Sequence, residues 1–135
     1  MTGNLPPRRN DAEMAKKATR KAATPLPGRR VRGSETGRPL MALLDLASRR
    51  QLLRTIWELR HGPLKFRSLQ RACGDVSPSL LNRRLKELRE AELVELSMEG
   101  YRLTALGIGL YRAFEPITIW ADQWVESLKK SSARR

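Results

Sequence analysis

The sequence predicts a mainly α-helical domain that carries one small β-hairpin. Apolar residues recur every three or four positions over most of residues 39–128, which is the spacing of helices with one buried face. Two short apolar runs on either side of Met98-Glu99-Gly100 interrupt this spacing once, as expected for a two-stranded hairpin. Glycine, proline and capping residues mark where successive helices begin and end.

Two helices are predicted first. Pro39 suits the first turn of a helix that continues to about Leu46. Ser48 can cap a second helix, residues 49–60, because its hydroxyl can accept a hydrogen bond from an unpaired backbone N–H. His61-Gly62-Pro63 ends this helix, since proline cannot continue it.

The next two helices are separated by a tight turn. A short helix is expected over residues 65–72, and residues 73–76 form the turn. Ser77 followed by Pro78 is a strong signal for a helix start, and the following helix covers residues 78–91. Two helices joined by a glycine-containing turn of about four residues form a helix-turn-helix.

A hairpin and a long helix complete the predicted domain. Residues 93–96 and 101–103 are the two strands, and the hairpin is short. Thr104 can cap the last helix, in which Pro116 should produce a bend because proline removes one backbone hydrogen bond. The order of elements predicts a winged helix-turn-helix in which the hairpin is the wing.

The positive charge is concentrated at the two ends of the chain. Of the 135 residues, 27 are Lys or Arg and 14 are Asp or Glu, a net charge of +13 that favours a polyanionic partner. Residues 1–36 hold nine basic and three acidic residues with few bulky apolar side chains, which predicts a disordered basic arm. Residues 37–128 form the predicted domain, and residues 129–135 form a basic tail. The arm could bind phosphates or could be a solubilising extension.

Several classes of protein are excluded by the sequence. It contains no apolar run long enough to span a membrane and no secretory signal, and its one cysteine, Cys73, agrees with a reducing cytoplasm. Cys73 and His61 do not form a metal site without further ligands, so Cys73 is expected to pack as a small apolar residue. No catalytic motif or cofactor-binding loop is present, and the chain is predicted not to be an enzyme.

The helix over residues 78–91 has two different faces. At about 100° per residue, Leu81, Leu85 and Leu88 fall on one side. The opposite side is polar and could meet the edges of bases in the major groove, where arginine pairs with guanine and asparagine with adenine. The predicted DNA-binding residues, including flanking ones, are Ser77, Ser79, Asn82, Arg83, Arg84, Lys86, Arg89, Arg102, Lys65 and Arg67.

Less specific interpretations of these residues stay open. Arg84 and Arg89 could hold either phosphates or neighbouring carboxylates. The polar face could also be an ordinary solvated one, with Arg83–Glu87 and Lys86–Glu90 as ion pairs one turn apart.

An apolar stripe on the last helix predicts a dimer interface. Trp120 and Trp124 lie one turn apart, and a small domain has few places to bury two tryptophans. They could pack within one chain, or against the first helix of a second copy, which is the preferred interpretation. The predicted interface residues are Leu40, Leu43, Leu44, Ile117, Trp120 and Trp124. Aromatic residues along such an interface could also admit a small, unidentified effector.

The residues themselves resemble the HxlR-type regulators within the MarR-like winged-helix group. The resemblance lies in HGPLKFRSLQRACGDVSPSLLNRRLKELREAELVEL and in YRLTALG, and it covers residues 39–126. It implies a homodimer that binds near-palindromic operator DNA and controls transcription. Arg38 stands where members usually carry a cysteine before the first helix, residues 49–52 depart from the family's pattern, and the wing is shorter.

The predicted function is therefore that of a sequence-specific, DNA-binding transcriptional regulator in the cytoplasm, associated with the nucleoid. Its partners are double-stranded DNA and a second copy of the chain, and it has no membrane partner and no cofactor. Two alternatives remain. The chain could be a winged-helix module that docks on another protein, or a nucleoid-type protein that coats DNA without sequence preference.

Overall fold

The computed structural model describes residues 23–134, which form two compact units. The first unit contains residues 23–46, and the second contains residues 47–134. In the first unit, hydrogen-bonded turns precede helix α1 (Pro39–Ala47), which begins at its proline as predicted. Part of the segment predicted to be a disordered arm, residues 23–36, therefore has defined turns, while residues 1–22 lie outside the described residues.

The second unit contains four helices and one hairpin. The helices are α2 (Leu52–Glu58), α3 (Phe66–Ala72), α4 (Pro78–Glu90) and α5 (Ala105–Ala133). Strands β1 (Val94–Ser97) and β2 (Gly100–Leu103) pair in antiparallel fashion between α4 and α5. This is the predicted winged helix-turn-helix, with boundaries within a residue or two of expectation at most elements.

Helix α2 begins later than the sequence suggests. Its first residue is Leu52 rather than Arg49, and Ser48 does not cap it. Gln51 precedes the helix with a φ of 69°, in the left-handed region that a continuous helix cannot contain. Contacts to α4 hold the two preceding residues: Arg49 pairs with Glu87, and the carbonyl of Arg50 accepts a hydrogen bond from Arg84. The prediction for this boundary was wrong because it considered local capping alone.

The capping residues predicted for α4 and α5 are confirmed. The hydroxyl of Ser77 accepts a hydrogen bond from the backbone N–H of Leu80 at 3.2 Å, and Pro78 occupies the first turn of α4. The hydroxyl of Thr104 accepts a bond from the N–H of Gly107 at 3.0 Å, at the start of α5. Each cap satisfies a donor that the first turn of a helix leaves unpaired.

The hairpin is held against the loop before α3. A two-residue turn, Met98-Glu99, joins the strands, and Ser97 faces Gly100 across it. Leu64 forms a bridge to Tyr101, with backbone hydrogen bonds of 3.0 and 2.9 Å. Gly100 has a φ of 126°, and a Cβ at this position would lie 2.5 Å from the carbonyl oxygen of Leu64. Only glycine fits this close approach of two backbones.

Leucines from several elements form the core of the second unit. The most deeply buried leucines are Leu52 of α2, Leu59 directly after α2, Leu69 of α3, and Leu81 and Leu88 of α4. The start of α5 joins this core where Gly107 approaches the carbonyl of Leu93, and the ring of Tyr111 contacts Trp57. This packing leaves α4 with one face on the core and the other exposed.

The C-terminal helix is longer than predicted. It continues past residue 128 to Ala133, so most of the predicted basic tail belongs to α5, and its helical backbone extends on both sides of Pro116. Among residues 23–134, no helix is both long enough and apolar enough to cross a lipid bilayer.

Candidate nucleic-acid interface

One face of α4 is polar and exposed. Ser79, Asn82, Arg83 and Lys86 all point away from the core, and the leucines predicted on the opposite side are buried. The wing does not cover any of the four. All four side chains can donate hydrogen bonds to base edges or phosphates, and Ser79 also lies in the first turn of the helix, where backbone N–H groups are unpaired.

Arg84 does not belong to this exposed face. Only 8% of the residue is exposed, its Nε donates to the carbonyl of Arg50 at 2.6 Å, and its guanidinium is paired with Glu87. The prediction that Arg84 contacts DNA is therefore corrected. The sequence left open whether Arg84 holds a phosphate or a neighbouring carboxylate, and in the structure it holds the carboxylate of Glu87. A guanidinium that is buried and paired cannot reach a phosphate without breaking those contacts.

Glu87 is the centre of an ion-pair cluster that sequence reasoning missed. Its carboxylate accepts hydrogen bonds from both Arg84 and Arg49, the latter at 2.7 Å, and the glutamate is almost completely buried. The pair expected between Glu87 and Arg83 is not the one formed. The signal for the cluster was present, because Arg84 lies close to the leucine side of the helix and Glu87 follows three positions later.

A shallow groove lies between α4 and the wing. It has a volume of about 440 Å³ and is lined by Asn82, Leu85, Lys86, Arg89, Glu90 and Tyr101. The ammonium of Lys86 is 4.0 Å from a carboxylate oxygen of Glu90, and both side chains are exposed, so the predicted pair exists but is loose. A pair of this kind contributes little stability and can be exchanged for a phosphate.

The wing carries one basic side chain and two acidic ones. Arg102, its one basic residue, donates to Glu95 on the opposite strand at 2.8 Å. Its tip carries Met98, which is fully exposed, and the acidic Glu99. Arg102 can reach a phosphate only by exchanging its carboxylate partner for it.

The remaining predicted contacts flank α4 on the surface. Lys65 and Arg67 are exposed at the start of α3, and Arg89 is exposed near the end of α4. Ser77 is exposed as well, but its hydroxyl is used as the helix cap.

Cys73 is buried in the turn between α3 and α4. Burial raises the pKa of its thiol above the ordinary value of 9.0, an effect that a hydrogen bond with Thr55 partly opposes. A protonated thiol without access to solvent is a poor nucleophile and a poor metal ligand. Within residues 23–134, no group of three or more His, Cys, Asp or Glu side chains could hold a metal ion.

The residues predicted for a dimer interface expose much apolar surface. On α5, Ile117, Trp120 and Trp124 are each more than half exposed, and the two indole rings stack with centroids 5.6 Å apart. On α1, Leu40 and Leu44 are exposed. Exposed apolar groups in such number indicate an interaction surface.

The class of protein follows from a match over most of the second unit. Residues 46–129 match the family described as HxlR-like helix-turn-helix, and the chain belongs to this family. The HTH-type transcriptional regulator YodB of Bacillus subtilis (strain 168) is 33% identical to the chain over 75 residues, which cover 50% of this chain and 67% of YodB.

Solved structures of YodB from B. subtilis are similar in fold. The quinone-bound form aligns with a TM-score of 0.60 and 32% identity, and the alignment covers 62% of this chain and 96% of that one. The reduced form aligns with a TM-score of 0.59 and 32% identity over 66% and 95% of the two chains. The chain is thus a DNA-binding transcriptional regulator with a winged helix-turn-helix.

Proposed function

We propose that the protein acts as a homodimer on near-palindromic operators, with one α4 helix of the dimer in each of two successive major grooves. The observation that carries this proposal is the exposed face formed by Ser79, Asn82, Arg83 and Lys86, opposite a face built into the core. The two half-sites would be separated by about one helical turn of DNA, roughly 34–36 Å.

Individual roles follow from side-chain chemistry. Arg83 donates two hydrogen bonds to O6 and N7 of a guanine, and Asn82 pairs with an adenine. Lys86, Arg89, Lys65 and Arg67 bind phosphates, while Ser79 and the N-terminal turn that Ser77 caps bind one more. Arg102 contacts the DNA backbone in exchange for Glu95, and Arg84 has no direct role.

The dimer interface is proposed to cover the exposed apolar residues of α1 and α5. In each protomer these are Leu40, Leu44, Ile117, Trp120 and Trp124, and the interface would also include Leu43, which is partly buried in the single chain. The support is the exposure of these groups in the single chain, because apolar side chains gain about 25 cal/mol for each Å² removed from water.

Three further parts of the proposal rest on composition or on relatives. Residues 1–22, which lie outside the described residues, carry six basic and two acidic residues and would add affinity for DNA without specificity.

The protein would bind its operators in the cytoplasm, on the nucleoid. A small-molecule effector stays a prediction; a solved relative binds a quinone, but the buried Cys73 does not favour a thiol-based sensor in this chain.

Selection of bound sequences from random duplex DNA tests the proposal directly. The full chain should enrich a motif with two-fold symmetry, and the same selection with Arg83→Ala should lose preference at one base pair in each half-site. Flat enrichment with tight binding would indicate a nucleoid-type protein. Failure to bind duplex DNA at low ionic strength would overturn the proposal and favour a protein-docking module.

A further inference from the structure

The first unit contains a loop that is rich in arginine. Residues 28–38, here called the arginine loop, contain Arg29, Arg30, Arg32 and Arg38 and one acidic residue, Glu35. The loop precedes α1 and lies outside the part of the chain that matches the regulator family, which begins at residue 46. Composition alone would make it part of a flexible arm, but the structure gives it a defined form.

Backbone hydrogen bonds close the arginine loop on itself. The N–H of Gly28 donates to the carbonyl of Gly37 at 2.9 Å, which joins its two ends. Inside it, Val31 and Ser34 form a bridge with hydrogen bonds of 2.9 and 3.1 Å, and Val31 is buried. These contacts hold the backbone that carries the arginines in one conformation.

One further hydrogen bond fixes the loop to helix α1, and another closes the loop internally. The N–H of Arg32 donates to a carboxylate oxygen of Asp45 in α1 at 3.0 Å, and the N–H of Arg38 donates to the hydroxyl of Ser34 within the loop at 3.1 Å. Arg32 and Arg38 therefore form these structural contacts through their backbone N–H groups, and their side chains stay exposed to solvent.

Gly37 is the position that this closure depends on most. Its φ is 71°, and a Cβ there would lie 2.1 Å from the carbonyl oxygen of Arg29. Such a distance is far below van der Waals contact, and the opposing atom is backbone, which cannot move aside without opening the loop.

The charges of the arginine loop are directed to solvent. All four arginine side chains are exposed, and among the described residues no carboxylate lies within ion-pair distance of the guanidinium group of Arg29, Arg32 or Arg38. Arg30 is 3.9 Å from Glu35, but both side chains are mostly exposed, so water screens the pair. Four cations held on eleven residues repel one another, and this repulsion is relieved when a polyanion binds.

We propose that the arginine loop is a second DNA-binding element, which binds the sugar-phosphate backbone of the DNA. This inference rests on the proposed function only in taking duplex DNA as the ligand. The contribution of the loop to DNA affinity is independent of base sequence. Arginine suits this ligand because its planar guanidinium can donate two parallel hydrogen bonds to one phosphate. Unlike a flexible tail, the loop holds its arginines in place before DNA binds.

The test measures how the affinity of the full chain depends on salt. Each phosphate contact contributes about 0.9 to the slope of log K against log salt concentration, so the variant Arg29→Gln/Arg30→Gln/Arg32→Gln should lower that slope by about 2 to 3 for each bound protomer. Arg112→Gln/Lys129→Gln/Lys130→Gln is the matched control, because it removes three exposed positive charges from α5, where no DNA contact is proposed. Fluorescence anisotropy with a duplex of random sequence gives the slopes. Equal reductions in the two variants, or none in the loop variant, would overturn the proposal.

A second pair of variants separates loop geometry from charge. Gly37→Ala retains every arginine but opens the loop, and it should weaken binding severalfold. Gly109→Ala is the control, since a Cβ at this helical position meets nothing within 4 Å. Thermal unfolding of both variants establishes that α1 and the second unit remain folded. Unchanged affinity of folded Gly37→Ala would show that the loop needs no fixed form and would contradict the proposal.

The same measurements distinguish this inference from the proposed function. If Arg83→Ala leaves sequence preference intact while the loop variant lowers the salt slope, base reading by α4 fails and the loop stands. If the loop variant loses binding to vesicles of anionic lipid and keeps its full affinity for DNA, the ligand of the arginine loop is a membrane surface and the proposal fails.

Discussion

Arg83 and Arg84 are adjacent in the chain and have opposite environments. The side chain of Arg83 is exposed on the polar face of α4, whereas Arg84 is buried and paired with Glu87. A rotation of about 100° between successive helical residues is enough to move a guanidinium from solvent to the core. Residue type alone therefore does not identify a DNA contact, and the position around the helix axis decides it.

Replacement of Arg83 by alanine should reduce sequence discrimination. We expect a loss of about 1–3 kcal/mol in preference at one base pair of each half-site, because two hydrogen bonds to guanine are removed. Affinities for the selected operator and for single-base variants measure this directly. Arg112→Ala, which removes an exposed arginine from α5, should leave the preference unchanged. A preference that survives in Arg83→Ala would remove this residue from base reading.

The buried thiol of Cys73 should make stability depend on alkaline pH. Burial raises the pKa of Cys73 in the folded state above 9.0, so the folded chain keeps its proton at a pH where the unfolded chain loses it. The stabilisation is complete below pH 9 and is lost as pH rises through the folded-state pKa. The unfolding free energy of the native chain minus that of Cys73→Ala should therefore be constant below pH 9 and should decrease as pH rises from there through the folded-state pKa of Cys73.

Urea unfolding between pH 7 and pH 10 would measure this difference. Both proteins contain the same lysines and tyrosines, so the contributions of these residues to the pH dependence cancel. A difference that stays constant through this range would contradict a raised pKa of Cys73.

At the scale of elements, α4 depends on contacts made with its buried side. The leucines of α4 provide its buried apolar surface. The cluster of Arg49, Arg84 and Glu87 links the helix to the segment before α2. The same contacts hold Arg49 and Arg50 outside the helix that local capping predicted. One cluster thus holds the residues before α2 and contacts the buried side of α4.

Replacement of Glu87 by glutamine should be strongly destabilising. The variant preserves shape but leaves two arginines, one of them buried, without a negative partner, and we expect a loss of about 3–5 kcal/mol in unfolding free energy. Glu126→Gln is the control, because it breaks an exposed pair with Lys129 and should change stability by at most about 1 kcal/mol. Chemical denaturation measures both, and similar small losses would mean that the cluster adds little to the fold.

At the scale of the whole molecule, α5 carries an apolar stripe that residues 23–134 leave exposed. At about 100° per residue, Leu106, Ile117, Trp120, Trp124 and Leu128 lie on a single side of the helix, and all five are exposed. Exposure of this extent is costly in water, which is why we assign this side to a second copy.

Replacement of Trp120 by aspartate should prevent dimer formation. A charge at the centre of an apolar interface loses its hydration without gaining a partner, so the variant should sediment as a monomer and bind the operator more weakly. Ile119→Asp is the matched control, since Ile119 is equally exposed but lies on another side of α5. Analytical ultracentrifugation distinguishes the outcomes. A native chain that is itself monomeric at micromolar concentration would contradict the dimer.

The sequence by itself determined the order of the elements and most of their limits. Ser77-Pro78 and Thr104 place helix starts through hydrogen bonds within one turn, and the hairpin follows from its two-residue turn. The exposed side of α4 was also predictable, because leucine spacing identifies the side that is buried. Each of these depends on interactions between near neighbours in the chain, which a sequence displays directly.

Only the tertiary structure decided features that join distant residues. The start of α2, the burial of Arg84 and the bridge from Leu64 to Tyr101 each depend on partners more than thirty positions away. From the sequence, the arginine loop could be described only by its amino-acid composition. The structure shows a defined loop, because Asp45 accepts a hydrogen bond from it and Gly37 allows its close backbone approach. Charge and polarity suggest exposure, but whether a charged group is exposed depends on which groups the fold brings beside it.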